Sequence, residues 1–155
     1  MPLKTNISQP AVAGRITTFV PFFPFSRDEA AVISHRFLQD LSDRLREPID
    51  LDSHPPNLVG HIRLSLDDDG EICKKLSEDR YMKLPELGAR SLQNAVDELA
   101  DRVFETYIDT DEEVTAKVNE KPMEKYIVQL HPIEDTKEIV VFKEAEAVAN
   151  GDLMG

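Results

Sequence analysis

The run Gly88-Ala89-Arg90-Ser91-Leu92 has the clearest chemical use in this sequence. A guanidinium stays charged at every physiological pH and presents a planar fork of donors. Such a group can pair with a phosphate or a carboxylate, and taken alone the segment is a weak signal. The other reading of the same residues is a turn glycine followed by an arginine that pairs with a surface carboxylate. The remaining candidates are sparser. His35, His54, His61 and His131 are scattered without metal-ligand spacing, so each reads as a surface or half-buried side chain. Cys73, the single cysteine, reads as a small buried hydrophobe between Ile72 and Lys74. Ser65, Asp67 and Asp69 stand where a calcium-binding EF-hand loop has its first, third and fifth ligands, with Gly70 at the turn. The position of the bidentate glutamate is Leu76, so the acidic run is read as the start of a helix instead. The phosphate-cradling pattern G-x-x-x-x-G-K-[ST] is absent, as are G-x-S-x-G and H-E-x-x-H. This chain alone is therefore expected to carry no catalytic residue, no metal and no cofactor.

The elements that must position Arg90 can be read in order. Residues 1–14 are polar and mixed and read as a flexible lead-in. Phe19-Val20-Pro21-Phe22-Phe23-Pro24-Phe25 is apolar but broken by proline, which suits an extended docking segment or an edge strand. Ser26 and Glu29 have capping-box spacing, and Ile33, Phe37, Leu41 and Leu45 follow at four-residue steps, so a helix is predicted from Ser26 to Pro48. Its Phe37 and Leu41 are expected in the core, against Leu99 and Val103. A loop with Pro55-Pro56 follows. Ile62, Leu64 and Leu66 alternate as in a strand. Asp67-Asp68-Asp69 open a short helix running to about Ser77, and an aromatic turn from Tyr81 leads past Pro85 to Gly88. The third helix starts at Gly88-Ala89-Arg90 and puts Leu92, Ala95, Val96, Leu99, Val103 and Tyr107 on one face. After Asp109 the period changes to two. Val114, Ala116 and Val118, then Tyr126 to Leu130 and Ile139 to Phe142, predict two or three antiparallel strands. The fold class is α+β, about three helices beside a small antiparallel sheet. The domain spans residues 15–143, helical over 26–108 with strands over 114–142, and residues 144–155 are a tail.

That order, with G-A-R-x-L opening an amphipathic helix, resembles the small C-terminal lid subdomain of the second ATPase module in Clp-type AAA+ unfoldases and disaggregases. The resemblance runs from Phe19 to about Ile108, and the later strands follow it more loosely. It implies that Arg90, with Gly88 and Ala89 as its motif, is a second-sensor arginine. Such a residue reaches the terminal phosphate of ATP, with magnesium, held by the large subdomain of the same parent chain. It also implies neighbouring ring subunits as partners and a parent that remodels or unfolds proteins. Ser91, Gln93 and Asn94 depart from the residues usual in the family, and residues 47–60 read as an insertion, which marks a divergent branch. The alternative from another class is a self-standing acidic interaction module with no nucleotide role.

Composition bounds the partners. The 155 residues suit one domain, and 41% hydrophobic content is enough for a core. With 18 basic and 30 acidic residues the formal net charge is -12, which repels nucleic-acid phosphates and anionic lipid, so neither is expected as a partner. The sequence holds no apolar run of the ~20 residues that cross a bilayer. Residues 1–13 lack the basic start and apolar run of a secretory signal, and one cysteine is consistent with a reducing, cytoplasmic home.

Overall fold

The computed structural model describes residues 23–108 and 116–144. Helix α1, Arg27–Arg46, begins where the sequence places it. The Ser26 hydroxyl accepts from the Glu29 amide at 3.3 Å, and the Glu29 carboxylate accepts from the Ser26 amide at 2.8 Å. Two otherwise orphaned donors are thereby satisfied. Arg44 and Arg46 lie in the last turn, complementing the dipole.

The buried face of α1 differs in phase from the expectation. Ala30, Ser34, Leu38, Leu41 and Leu45 are buried, whereas Ile33 and Phe37 are half-buried. The reason is helical pitch. Each four-residue step overshoots a full turn by about 40°, so three successive steps swing Ile33 about 120° from Leu45. Replacing one step of four by a step of three, Leu38 to Leu41, keeps the observed stripe within about 80°. Leu41 does join Leu99 and Val103 in the main core, and Phe37 packs against that core from its margin.

Strand β1, Ile62–Leu66, buries Ile62 and Leu64. Helix α2, Asp69–Leu76, is capped by the Asp68 carboxylate, which accepts from the Glu71 amide at 3.0 Å. A wide turn over Ser77–Tyr81 and a 3₁₀ turn over Pro85–Leu87 lead to α3, Ala89–Ile108. All six apolar residues expected on one face of α3, Leu92 through Tyr107, are buried. Strands β2, Glu124–Ile133, and β3, Thr136–Lys143, form a hairpin with Leu130 opposite Ile139 and Val128 opposite Val141.

The class is α+β as expected, three helices and a three-stranded sheet in the order β1-β2-β3. The sheet is mixed: β1 runs parallel to β2, with Leu64 opposite Tyr126, while β2 and β3 are antiparallel. Two helices lie between β1 and β2 in the chain, and such a crossover returns the chain in its original direction.

The strand expected around Val114, Ala116 and Val118 is corrected. Val114 lies outside the described residues, and Ala116–Glu120 is a 3₁₀ turn. Side chains rather than a ladder hold this stretch. Asn119 accepts from the Ile49 amide at 2.9 Å and donates to the Ile49 carbonyl at 2.8 Å, and the His61 ring lies 2.6 Å from the Lys121 carbonyl oxygen. The loop over residues 47–61 closes on itself where the His61 amide meets the Glu47 carbonyl at 2.7 Å. Gly60 permits that closure, since a Cβ there would sit 2.3 Å from the same oxygen. The lead-in over residues 1–14, residues 19–22 of the apolar run and the tail beyond residue 144 lie outside the described residues.

The core face of α1 can be checked directly. Leu38→Ala should lower the unfolding free energy by ~2–5 kcal/mol, the range for deleting a buried leucine side chain. Val32→Ala, on the exposed face, should change it by less than ~0.5 kcal/mol. Equal urea midpoints for the two variants would place the buried face elsewhere.

Candidate functional site

The mouth of α3 is assembled by the turn before it. Gly88 has φ +57° and ψ -140°, a backbone region open to glycine and strained for any residue with a Cβ. Space is not the constraint, since a Cβ there would meet nothing within 4 Å. The Gly88 carbonyl accepts from the Ser91 amide at 3.2 Å and the Ser91 hydroxyl at 2.9 Å, which fixes the first turn of α3. Ala89 is half-buried and Arg90 is exposed. Leu92 is fully buried two residues later. Two residues turn a helix by about 200°, so Arg90 projects from the side opposite the core.

Of the two carboxylates that a structural arginine could take, Glu86 is exposed in the turn before α3 and pairs with no cation among the described residues, and Asp97 is engaged by a neighbour. Asp97 accepts from the Gln93 amide group at 3.1 Å, and Glu98 pairs with Arg80. Among the described residues the Arg90 side chain makes no ion pair and no hydrogen bond. The electrostatics of this helix start also differ from those of the other two. α1 has Asp28 and Glu29 in its first turn and α2 has Asp69 and Glu71, as the helix dipole favours, whereas the first turn of α3 has no acid.

Sequence reasoning registered Tyr81 only as the aromatic of a turn. Its side chain does more. It is 1% exposed, and its hydroxyl oxygen accepts from the Phe25 amide at 2.6 Å, with the two rings 5.6 Å apart. Tyr81 shares a small apolar cluster with Ala30 of α1 and Leu92 of α3, flanked by Phe25, Ile33 and Phe37. The segment leading into the domain, the start of α1 and the mouth of α3 are therefore joined at one phenol. The signal that would have found it is the general need of a buried tyrosine for a polar partner.

The other sequence candidates stay apart. His35 lies 3.4 Å from Asp69, His61 faces Lys121, and His54 and His131 are exposed. Among the described residues no three metal-ligating side chains come together. Asp68 caps α2, so the acidic run serves the helix start. Cys73 is buried, and loss of solvation, then the charge of Asp69, pushes its thiol up to about 11.

Tyr81→Phe keeps the ring and removes the acceptor, leaving the Phe25 amide without its partner. A loss of ~1–3 kcal/mol in urea unfolding is expected, with faster hydrogen exchange at the Phe25 amide. An unchanged exchange rate would show that the bond does not hold the segment. Compared with family models, curated proteins and solved structures, the chain matches none.

Proposed function

We propose that this chain is the C-terminal lid of a Clp-type AAA+ ATPase, with Arg90 as the arginine that senses the terminal phosphate of ATP. The large subdomain of the parent would hold the nucleotide and its magnesium, and neighbouring subunits of a ring would be further partners. The single observation that carries this reading is the state of Arg90. In a chain with 30 acidic residues, it stands exposed, and unpaired among the described residues, at a helix mouth that has no acid in its first turn. A cation there is disfavoured by the helix dipole, typically by ~0.3–1 kcal/mol. A phosphate brought to this mouth would meet both the dipole and the guanidinium. The order of elements from the capped α1 through β1, α2, the aromatic turn and the Gly88-Ala89-Arg90 helix supports the same resemblance.

The mechanism needs no reacting group in this chain. Arg90 would bind a developing or departing phosphate charge, and the joint at Tyr81 would relay the shift of α3 to the segment before Phe25. Movement of the lid against the large subdomain would then act on a protein substrate.

Arg90→Ala should leave the stability of the isolated chain within ~0.5 kcal/mol, as for a surface change. The isolated chain should bind ATP far more weakly than micromolar, since one charge-assisted contact supplies ~1.5–3 kcal/mol and micromolar binding needs ~8 kcal/mol. Sequencing the full transcript tests the parent, where a phosphate-loop motif is expected in frame upstream. In that parent Arg90→Ala should slow ATP turnover. An upstream stop codon, or turnover unaffected by Arg90→Ala, would overturn the assignment and favour a self-standing interaction module.

A further inference from the structure

We propose that the cleft between α2 with its following turn, α3 and the β2–β3 hairpin binds a small organic anion bearing several phosphate or carboxylate groups. The cleft measures about 510 Å³, within the range of small-molecule sites. Its walls reverse the charge of the rest of the chain. Five basic side chains line it against three carboxylates, whereas the whole sequence has 18 basic and 30 acidic residues.

Those five come from separate elements that only the fold brings together: Lys75 from α2, Arg80 and Lys83 from the turn region, Arg102 from α3 and Lys137 from β3. Two are already neutralised, Lys75 by Asp79 at 2.6 Å and Arg80 by Glu98. The other three are not. Lys83 and Arg102 make no ion pair among the described residues, and Lys137 reaches Glu71 only at 3.9 Å with its side chain 59% exposed. Arg102 is the informative one. One guanidinium N–H donates to the Ile139 carbonyl at 2.5 Å. A neutral acceptor orients the group across the cleft without cancelling its charge and leaves further donors of the fork unused.

The floor is apolar, made by the edges of Leu76, Leu99 and Ile139. A carbon skeleton would rest there while its charged groups reach the rim, which favours an organic anion over a bare ion. The net negative charge elsewhere does not forbid this, because charges farther than about 8 Å are largely screened at physiological salt. The cleft is also separate from the mouth of α3. Arg102 is twelve residues from Arg90, about 18 Å along the helix, so this inference does not rest on the lid reading.

The test titrates the chain with citrate and, separately, with fructose 1,6-bisphosphate, read by calorimetry and by amide chemical shifts. Saturable binding is expected, with shifts confined to residues 79–83, 98–102 and 136–139, and the tighter probe distinguishes carboxylate from phosphate chemistry. Arg102→Gln and Lys137→Ala should each weaken it about tenfold, the loss of one charge-assisted contact, while Arg36→Gln on α1 leaves it unchanged. Should Arg102→Gln disturb the fold, Lys83→Ala and Lys137→Ala carry the test. No saturation by about 10 mM, or an equal loss in Arg36→Gln, would overturn the proposal.

Discussion

A phenol buried among aliphatic side chains has to find a partner for its hydroxyl, and Tyr81 finds the amide of Phe25. Much of the arrangement depends on that bond. The wide turn over Ser77–Tyr81 delivers the ring between Ala30 of α1 and Leu92 of α3. The small residues on that stretch of α1, Ala30 and Ser34, leave room for it, and the Ser34 hydroxyl is satisfied internally by donating to the Ala30 carbonyl at 2.9 Å. Phe25 is then held one residue before the Ser26 cap, so the capping box and the tyrosine bond fix the start of α1 from two sides. Neither would position α1 alone: a cap orients only its own turn, and apolar contact has no direction.

The second constraint is the crossover. Since β1 and β2 run parallel, α2 and α3 must lie across the chain path between them, and their apolar faces cover the sheet. Ile72 and Leu76 of α2, Val96 and Val103 of α3, and Tyr126 and Val128 of β2 belong to one buried core. α3 therefore cannot shift without moving the sheet and α1 with it. A contact made at Arg90 would be transmitted to one body.

How much of this was legible follows from where each signal is stored. α3 was read residue by residue because a 20-residue amphipathic helix repeats its message several times. The capping box of α1 was legible because Ser26 and Glu29 are local partners, but the buried face of that helix was misphased. Three equal steps of four look like a stripe in the sequence and wind around the helix in space. The parallel pairing of β1 was hidden, because register between residues more than 50 apart is not written in either strand. Val118 alternated convincingly with its neighbours, yet Asn119 bonds to the Ile49 backbone, an interaction between segments 70 residues apart. The position of Arg90 was readable from Gly88, whose combination of φ and ψ suits glycine, whereas the absence of an ion pair to Arg90 among the described residues belongs to the folded arrangement and is not written in the segment.

Charge placement separates the two proposed sites. Exposed pairs such as Arg36 with Asp40 and Lys74 with Glu71 contribute about 0–1 kcal/mol each, so stability alone does not dictate where this chain leaves a cation unpaired. Arg90 at the mouth of α3 and Lys83 and Arg102 in the cleft, unpaired among the described residues, face different surroundings. The cleft is lined by α2 with its following turn, α3 and the hairpin, all parts of the same packed body. A rigid movement of that body against a large subdomain would alter what Arg90 meets and leave the cleft walls as they are. A ligand biases an equilibrium only by the difference in its affinity for the two states. Under the proposed lid function, an anion in the cleft would therefore stiffen that body without choosing between open and closed positions, and the two sites would be thermodynamically independent unless the hairpin itself also moves.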